Sequence, residues 1–148
     1  MTEPVGIEEA QQAIIDEFGQ LSDWQDRYRK IIKVGRELED MPEEHKVDSN
    51  LVKGCQNRAW LHARLDGDRV IYMADSEAMI VRGFVALLVR AYSNQTPDDI
   101  IATPARFIDE LQLGDNISLN RANGLASMVK QIKFYALGFK AILDRQHS

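Results

Sequence analysis

A chain of 148 residues, 45% apolar and 28% charged, has the length of one domain and the composition of a globular one. Its net charge of −5 argues against nucleic acid as a partner, because phosphate binding needs a concentrated basic face. The single cysteine excludes an internal disulfide and suits a reducing, cytoplasmic setting.

In chain order, Ile7, Ala10, Ile14 and Phe18 recur at helical spacing, and Gly19 is expected to stop that helix. Ser22 or Asp23 is a candidate cap for a second helix with the stripe Trp24, Tyr28, Ile31, Ile32, Gly35 and Leu38, ended by Pro42. The segment PEEHKVDSN reads as an irregular connection leading to VKGCQNRAW, which holds Cys55. From Ala59 the period changes to two: Ala59, Leu61, Ala63 and Leu65 face inward, Arg58, His62 and Arg64 outward, and Trp60 breaks the pattern on the outer side. Asp66-Gly67 signals a turn, and Val70 to Met73 reads as the return strand, giving a hairpin over about 56–74.

Asp75 or Ser76 is then expected to cap an apolar helix from about Ala78 to Tyr92, with Gly83 marking a close neighbour. This window is interrupted by Arg82 and too short to span a bilayer, and MTEPVGIEEA lacks the features of a secretory signal. Thr96-Pro97-Asp98-Asp99 starts another helix, with proline first and acids at the positive end of the dipole. Thr103-Pro104 opens a short helix that Gly114 closes. The chain ends in a long helix with Leu125, Met128, Ile132, Tyr135, Phe139 and Leu143 inward. Helices around one antiparallel hairpin make a single α+β domain spanning residues 1–148.

The charge is uneven. Residues 1–50 carry 6 Lys+Arg against 13 Asp+Glu, and residues 51–148 carry 12 against 10. The run Glu37, Glu39, Asp40, Glu43 and Glu44 reads as a solvated helix end and loop. Phosphate-binding loops, H-E-x-x-H and G-x-S-x-G are absent, and one Cys with three scattered His does not form a structural zinc site. Neither metal nor cofactor is expected. Cys55 stands between Gly54 and the polar pair Gln56-Asn57, off any periodic apolar face, with Lys53 and Arg58 near enough in sequence to favour a thiolate. The bland reading is a small buried hydrophobe. A thiol enzyme would need a base, for which His45 is the candidate ten residues upstream. Sulfur relay needs less: one thiolate that attacks the outer sulfur of a persulfide, and a hollow to shelter the product.

Three blocks carry a resemblance: GCQNRAW at 54–60, DSEAMIVRGFVALLVRAYSNQTPDDI at 75–100 and SLNRANGLASMVKQIK at 118–133. With Trp24, Tyr28 and IIKVGREL they resemble the SufE family of sulfur acceptors, including its CsdE-type relatives. The resemblance implies a SufE/IscU-like fold and a protein that is not itself an enzyme. It implies that persulfide sulfur is taken from a PLP-dependent cysteine desulfurase (SufS, or its CsdA counterpart), that the desulfurase is stimulated, and that sulfur passes to a SufBCD-like scaffold, with the acceptor a monomer or homodimer. Cys55 matches the acceptor cysteine. Gly54 and Gln56 are expected to shape its loop, and Trp60 either to wall the hollow or, as is commoner for a large aromatic at a strand start, to be ordinary core. Glu77 matches a usually acidic position beside the loop. Arg121 matches an arginine that holds the loop or touches the partner, following Ser118 as a helix cap. Asn57 and Ala59 depart from the common GCQSxVW pattern, which bears on how the loop packs at rest.

Overall fold

The computed structural model describes residues 5–54 and 57–146, with the side chain of Leu119 left aside. Two helices open the chain, α1 (Ile7–Gly19) and α2 (Trp24–Glu37). Asp23 caps α2, accepting the Gln25 N–H at 2.9 Å. The helix ends at Glu37, five residues before Pro42, so proline does not stop it. Its last carbonyls are taken instead by Arg82, which donates from Nε to the Gly35 oxygen at 2.7 Å and from Nη2 to the Leu38 oxygen at 2.5 Å. The connection that follows contains two single 3₁₀ turns, Glu43–His45 and Asp48–Asn50.

Strands β1 (Ala59–Asp66) and β2 (Arg69–Ser76) pair antiparallel, from Ala59 opposite Ser76 to Asp66 opposite Arg69. The hairpin thus covers 59–76 rather than about 56–74, and Gly67-Asp68 form its two-residue loop, Gly67 taking the positive φ of 64°. The return strand runs three residues past Met73 because Asp75 is needed inside (2% exposed): it accepts from the Met41 and Ser76 N–H groups and from Arg82. Asp75 and Ser76 therefore belong to β2 and not to a helix cap, although the Ser76 hydroxyl accepts from the Ala78 N–H ahead of α3 (Met79–Tyr92). Trp60 is buried, with Lys46 and Arg58 over its ring at 5.6 and 5.5 Å, so both faces of β1 are covered at its start.

Helix α3 crosses α2 at Gly83 and Gly35. A Cβ at Gly83 would lie 2.2 Å from the Ile31 carbonyl oxygen, so the close neighbour expected there is backbone. Thr96 caps the short α4 (Pro97–Ala102), its Oγ1 accepting the Asp99 N–H. The next helix, α5 (Arg106–Glu110), starts after Pro104 and ends before Gly114, which lies in a 3₁₀ turn, Gly114–Asn116. The chain closes with α6 (Leu119–Gln146). Along α6, Leu125, Met128, Ile132 and Ala136 are buried, while Tyr135 and Phe139 pack on the core half-exposed. The Tyr72 hydroxyl donates to the Ile132 carbonyl at 2.6 Å, tying β2 to α6, and burial pushes its pKa well up. One core therefore joins hairpin and helices, an α+β arrangement as expected. Among the described residues no helix is long and apolar enough to cross a membrane.

Candidate functional site

The cysteine segment is a loop closed at its base. Leu51 bridges Trp60, and the Val52 N–H donates to the Ala59 carbonyl at 2.9 Å, so the two limbs leave the sheet side by side. The return limb is held again at Arg58, whose carbonyl accepts from the Ser76 hydroxyl and the Glu77 N–H, both at 3.0 Å. Gly54 sits at φ +88°, a conformation that a residue with a Cβ rarely adopts, and a Cβ there would stand 3.0 Å from Ser127 Oγ on α6. The torsional freedom expected of Gly54 is thus in use. Cys55 and Gln56, which follow Gly54 in the sequence, lie outside the described residues, so the expectations on them stay readings of the sequence.

Beside Asn57 on the return limb is an apolar hollow between α3 and the start of α6. Its walls are Val81, Phe84 and Val85 on one side and Gly124, Leu125 and Met128 on the other, with Asn120 and Arg121 at the polar side. Every lining residue comes from one of the three sequence blocks that carry the family resemblance. The hollow's volume of about 20 Å³ is room for roughly one water-sized atom. Trp60 is not among its walls; of the two readings offered for it, the core residue holds, and it lies beneath the two cations described above.

Arg121 is exposed, and among the described residues no carboxylate pairs with its side chain. Its backbone N–H donates to Ser118 Oγ at 3.3 Å, and the Ala122 N–H donates to the Ser118 carbonyl, so Ser118 caps α6 as its sequence position suggested. Glu77 is exposed and bonds Arg58, with Arg58 Nε at 2.7 Å and Nη2 at 2.5 Å from its Oε1. That hydrogen bond holds the Glu77 carboxyl below the usual carboxylate range. The pair latches the N-terminal side of α3 to the residue three after Cys55. Gly54, Glu77 and Arg121 thus reach the loop from three different elements: its own first limb, the turn before α3, and α6.

His45 and His62 form a stacked pair, ring centroids 3.9 Å apart and planes 24° apart. His62 Nδ1 is buried with no hydrogen-bond partner among the described residues; burial lowers its pKa, and the neighbouring His45 and Arg64 act in the same direction. His62 therefore meets a loop residue, where the sequence suggested solvent or a helix. The position of Ser127 under Gly54 and the aromatic wall at Phe84 were not anticipated. Phe84 lies inside an apolar helix where no single residue stands out, and Ser127 is an ordinary polar residue of α6. Among the described residues no group of three His, Cys, Asp or Glu could hold a metal ion.

Residues 12–136 match the family described as "SufE: Fe-S metabolism associated domain". An uncharacterised SufE-like protein of Rhizobium etli is 40% identical over 125 residues, 81% of this chain and 84% of that one. The sulfur acceptor protein CsdE of Escherichia coli K12 is 32% identical over 131 residues, 87% of this chain and 89% of that one. The solution structure of a hypothetical protein from Thermus thermophilus superposes with a TM-score of 0.74 at 17% identity, covering 89% of this chain and 96% of that one, a likeness of fold.

Proposed function

The chain belongs to the SufE family, and from that premise we propose that it is a persulfide-sulfur acceptor for a PLP-dependent cysteine desulfurase. Cys55 thiolate attacks the outer sulfur of the desulfurase's cysteine persulfide. A new S–S bond forms to Cys55, the donor's S–S bond breaks, and the donor thiolate leaves regenerated. The step is a displacement with no net change in oxidation state, so it needs no cofactor on the acceptor, and the protein acts as carrier and activator rather than as an enzyme. Delivery is then to a SufBCD-like scaffold in the cytoplasm. The 32% identity to CsdE favours as a second reading a Csd-type desulfurase as donor.

The observation that carries the proposal is the apolar hollow beside Asn57, two residues from Cys55 and sized for about one atom. A transferred sulfane is one atom, and an apolar wall keeps oxidants and thiols in water away from it. The positive φ of Gly54 and the clamped base of the loop support a reading in which the tip of the loop is what a partner meets. Gln56 shapes that tip through its amide, Glu77 holds Arg58 beside it, and Arg121 faces the docked partner. A stand-alone thiol enzyme would need His45 as its base; that ring stacks face to face on His62, and the variant His45→Ala separates the two readings.

Intact mass after incubation with desulfurase and cysteine should rise by about 32 Da, one sulfur, reversed by a reductant. Cys55→Ser should gain nothing and should lose the stimulation of desulfurase turnover, with its thermal unfolding unchanged; His45→Ala should take up sulfur like the unaltered chain. Absence of the mass gain in the unaltered chain defeats the proposal.

A further inference from the structure

A second recess opens on the other side of the cysteine loop. It is a groove of about 470 Å³ between the loop's first limb and the outer face of α6. Leu51 and Val52 give it an apolar strip, Ser127 and Gln131 offer hydrogen bonds, and Lys53 and Lys130 supply charge. The groove touches the loop directly, because Ser127 is the residue against which Gly54 rests.

The two lysines are exposed, and among the described residues neither has an acid partner. This contrasts with Lys46, bonded to Glu43 and 3.6 Å from Asp75, and with Lys140, bonded to Asp98. Asp48, the one acid in the lining, interacts with Arg58. The protein as a whole carries a net charge of −5, so an acidic partner is best received where cations without acid partners gather. Lys53 and Lys130 on one side of the loop, and Arg121 on the other, are such cations.

We infer that this groove receives an acidic segment of the sulfur-donating desulfurase, which seats carboxylates on Lys53 and Lys130 and so aims the donor cysteine at the loop. The inference rests on the acceptor reading above and adds the surface and chemistry of the encounter. Charges at the rim of an interface act on encounter rate and salt dependence more than on the chemical step. The expected signature is therefore a change in the acceptor concentration needed, with the same rate at saturation.

The test measures desulfurase turnover against acceptor concentration, using the full chain and the desulfurase of the sulfur-uptake experiment. Lys53→Glu/Lys130→Glu should raise the half-saturating concentration roughly tenfold and reach the same plateau. Lys53→Arg/Lys130→Arg, which keeps both charges, should behave as the unaltered chain. Raising NaCl from about 50 to about 500 mM should raise the half-saturating concentration of the unaltered chain and narrow its gap from the Glu variant, since screening acts on exposed charges. Thermal melts of both variants check folding. If the unaltered chain takes up sulfur and stimulates while the Glu variant half-saturates within twofold of it, the groove inference falls and the acceptor reading stands. If the unaltered chain takes up no sulfur, both fall.

Discussion

Gly83→Ala is expected to destabilise the protein by about 3 kcal/mol or more, read as a fall in melting temperature of roughly 10 °C for a domain of this size. The added methyl would lie 2.2 Å from the Ile31 carbonyl oxygen and 2.4 Å from Ile31 Cγ2, and the first of these is backbone that cannot swing aside. The facing Gly35 is tight as well, its own Cβ falling 2.8 Å from the Gly83 nitrogen. The two helices would have to separate, carrying with them Phe84 and Val85, which wall the hollow. A control uses the opposite case. Gly138 lies on the exposed side of α6 with nothing within 4 Å of a Cβ, so Gly138→Ala should raise stability by up to about 1 kcal/mol through helix propensity. Equal melting temperatures for Gly83→Ala and the unaltered chain would mean that α2 and α3 do not cross at these glycines.

Arg82→Ala is expected to cost about 3–5 kcal/mol, the usual consequence of leaving a buried charge without its partner. Asp75 is 2% exposed, and Arg82 Nη1 reaches its Oδ1 at 2.7 Å. Two backbone donors, Met41 and Ser76, satisfy part of that carboxylate, and Lys46 at 3.6 Å adds a weaker contact. The arginine also holds the carbonyls of Gly35 and Leu38 and bonds the exposed Asp40. Its loss frees the end of α2 as well as the strand. Converting the pair to Asp75→Asn/Arg82→Met should recover part of the loss, because a neutral amide can keep some of the backbone bonds and no buried charge is left over. Urea titration of the single and double variants measures both values. A loss below about 1 kcal/mol in Arg82→Ala would show the junction to be dispensable.

These two positions mark the boundary between what the sequence discloses and what it does not. Gly83 could be flagged from sequence because glycine is costly inside an apolar helix, yet its neighbour Ile31 is 52 residues away and nothing local names it. Arg82 was visible as an interruption of the apolar window, and Asp75 as a candidate cap. That each explains the other's burial emerged only when β2 was seen to extend to Ser76. Trp60 was left between core and hollow for the same reason: alternation tells which face of a strand a residue takes, but the cations lying over that face come from the turn after Glu43 and from the loop limb at Arg58.

By itself the sequence determined the helices with a clear 3.6-residue period, the caps at Thr96 and Ser118 and one at Ser22 or Asp23, the hairpin and its glycine turn, the lone thiol, and the three blocks that marked the family. Periodicity, caps and turns act over a few residues, so they can be read in one dimension. Only the tertiary structure decided that those blocks, spread from 54 to 133, close around one hollow, that α2 is ended by an arginine from α3, and that His45 stacks on His62. Such pairings join residues tens of positions apart, and the shape of the shared core selects them, a quantity that no local pattern encodes.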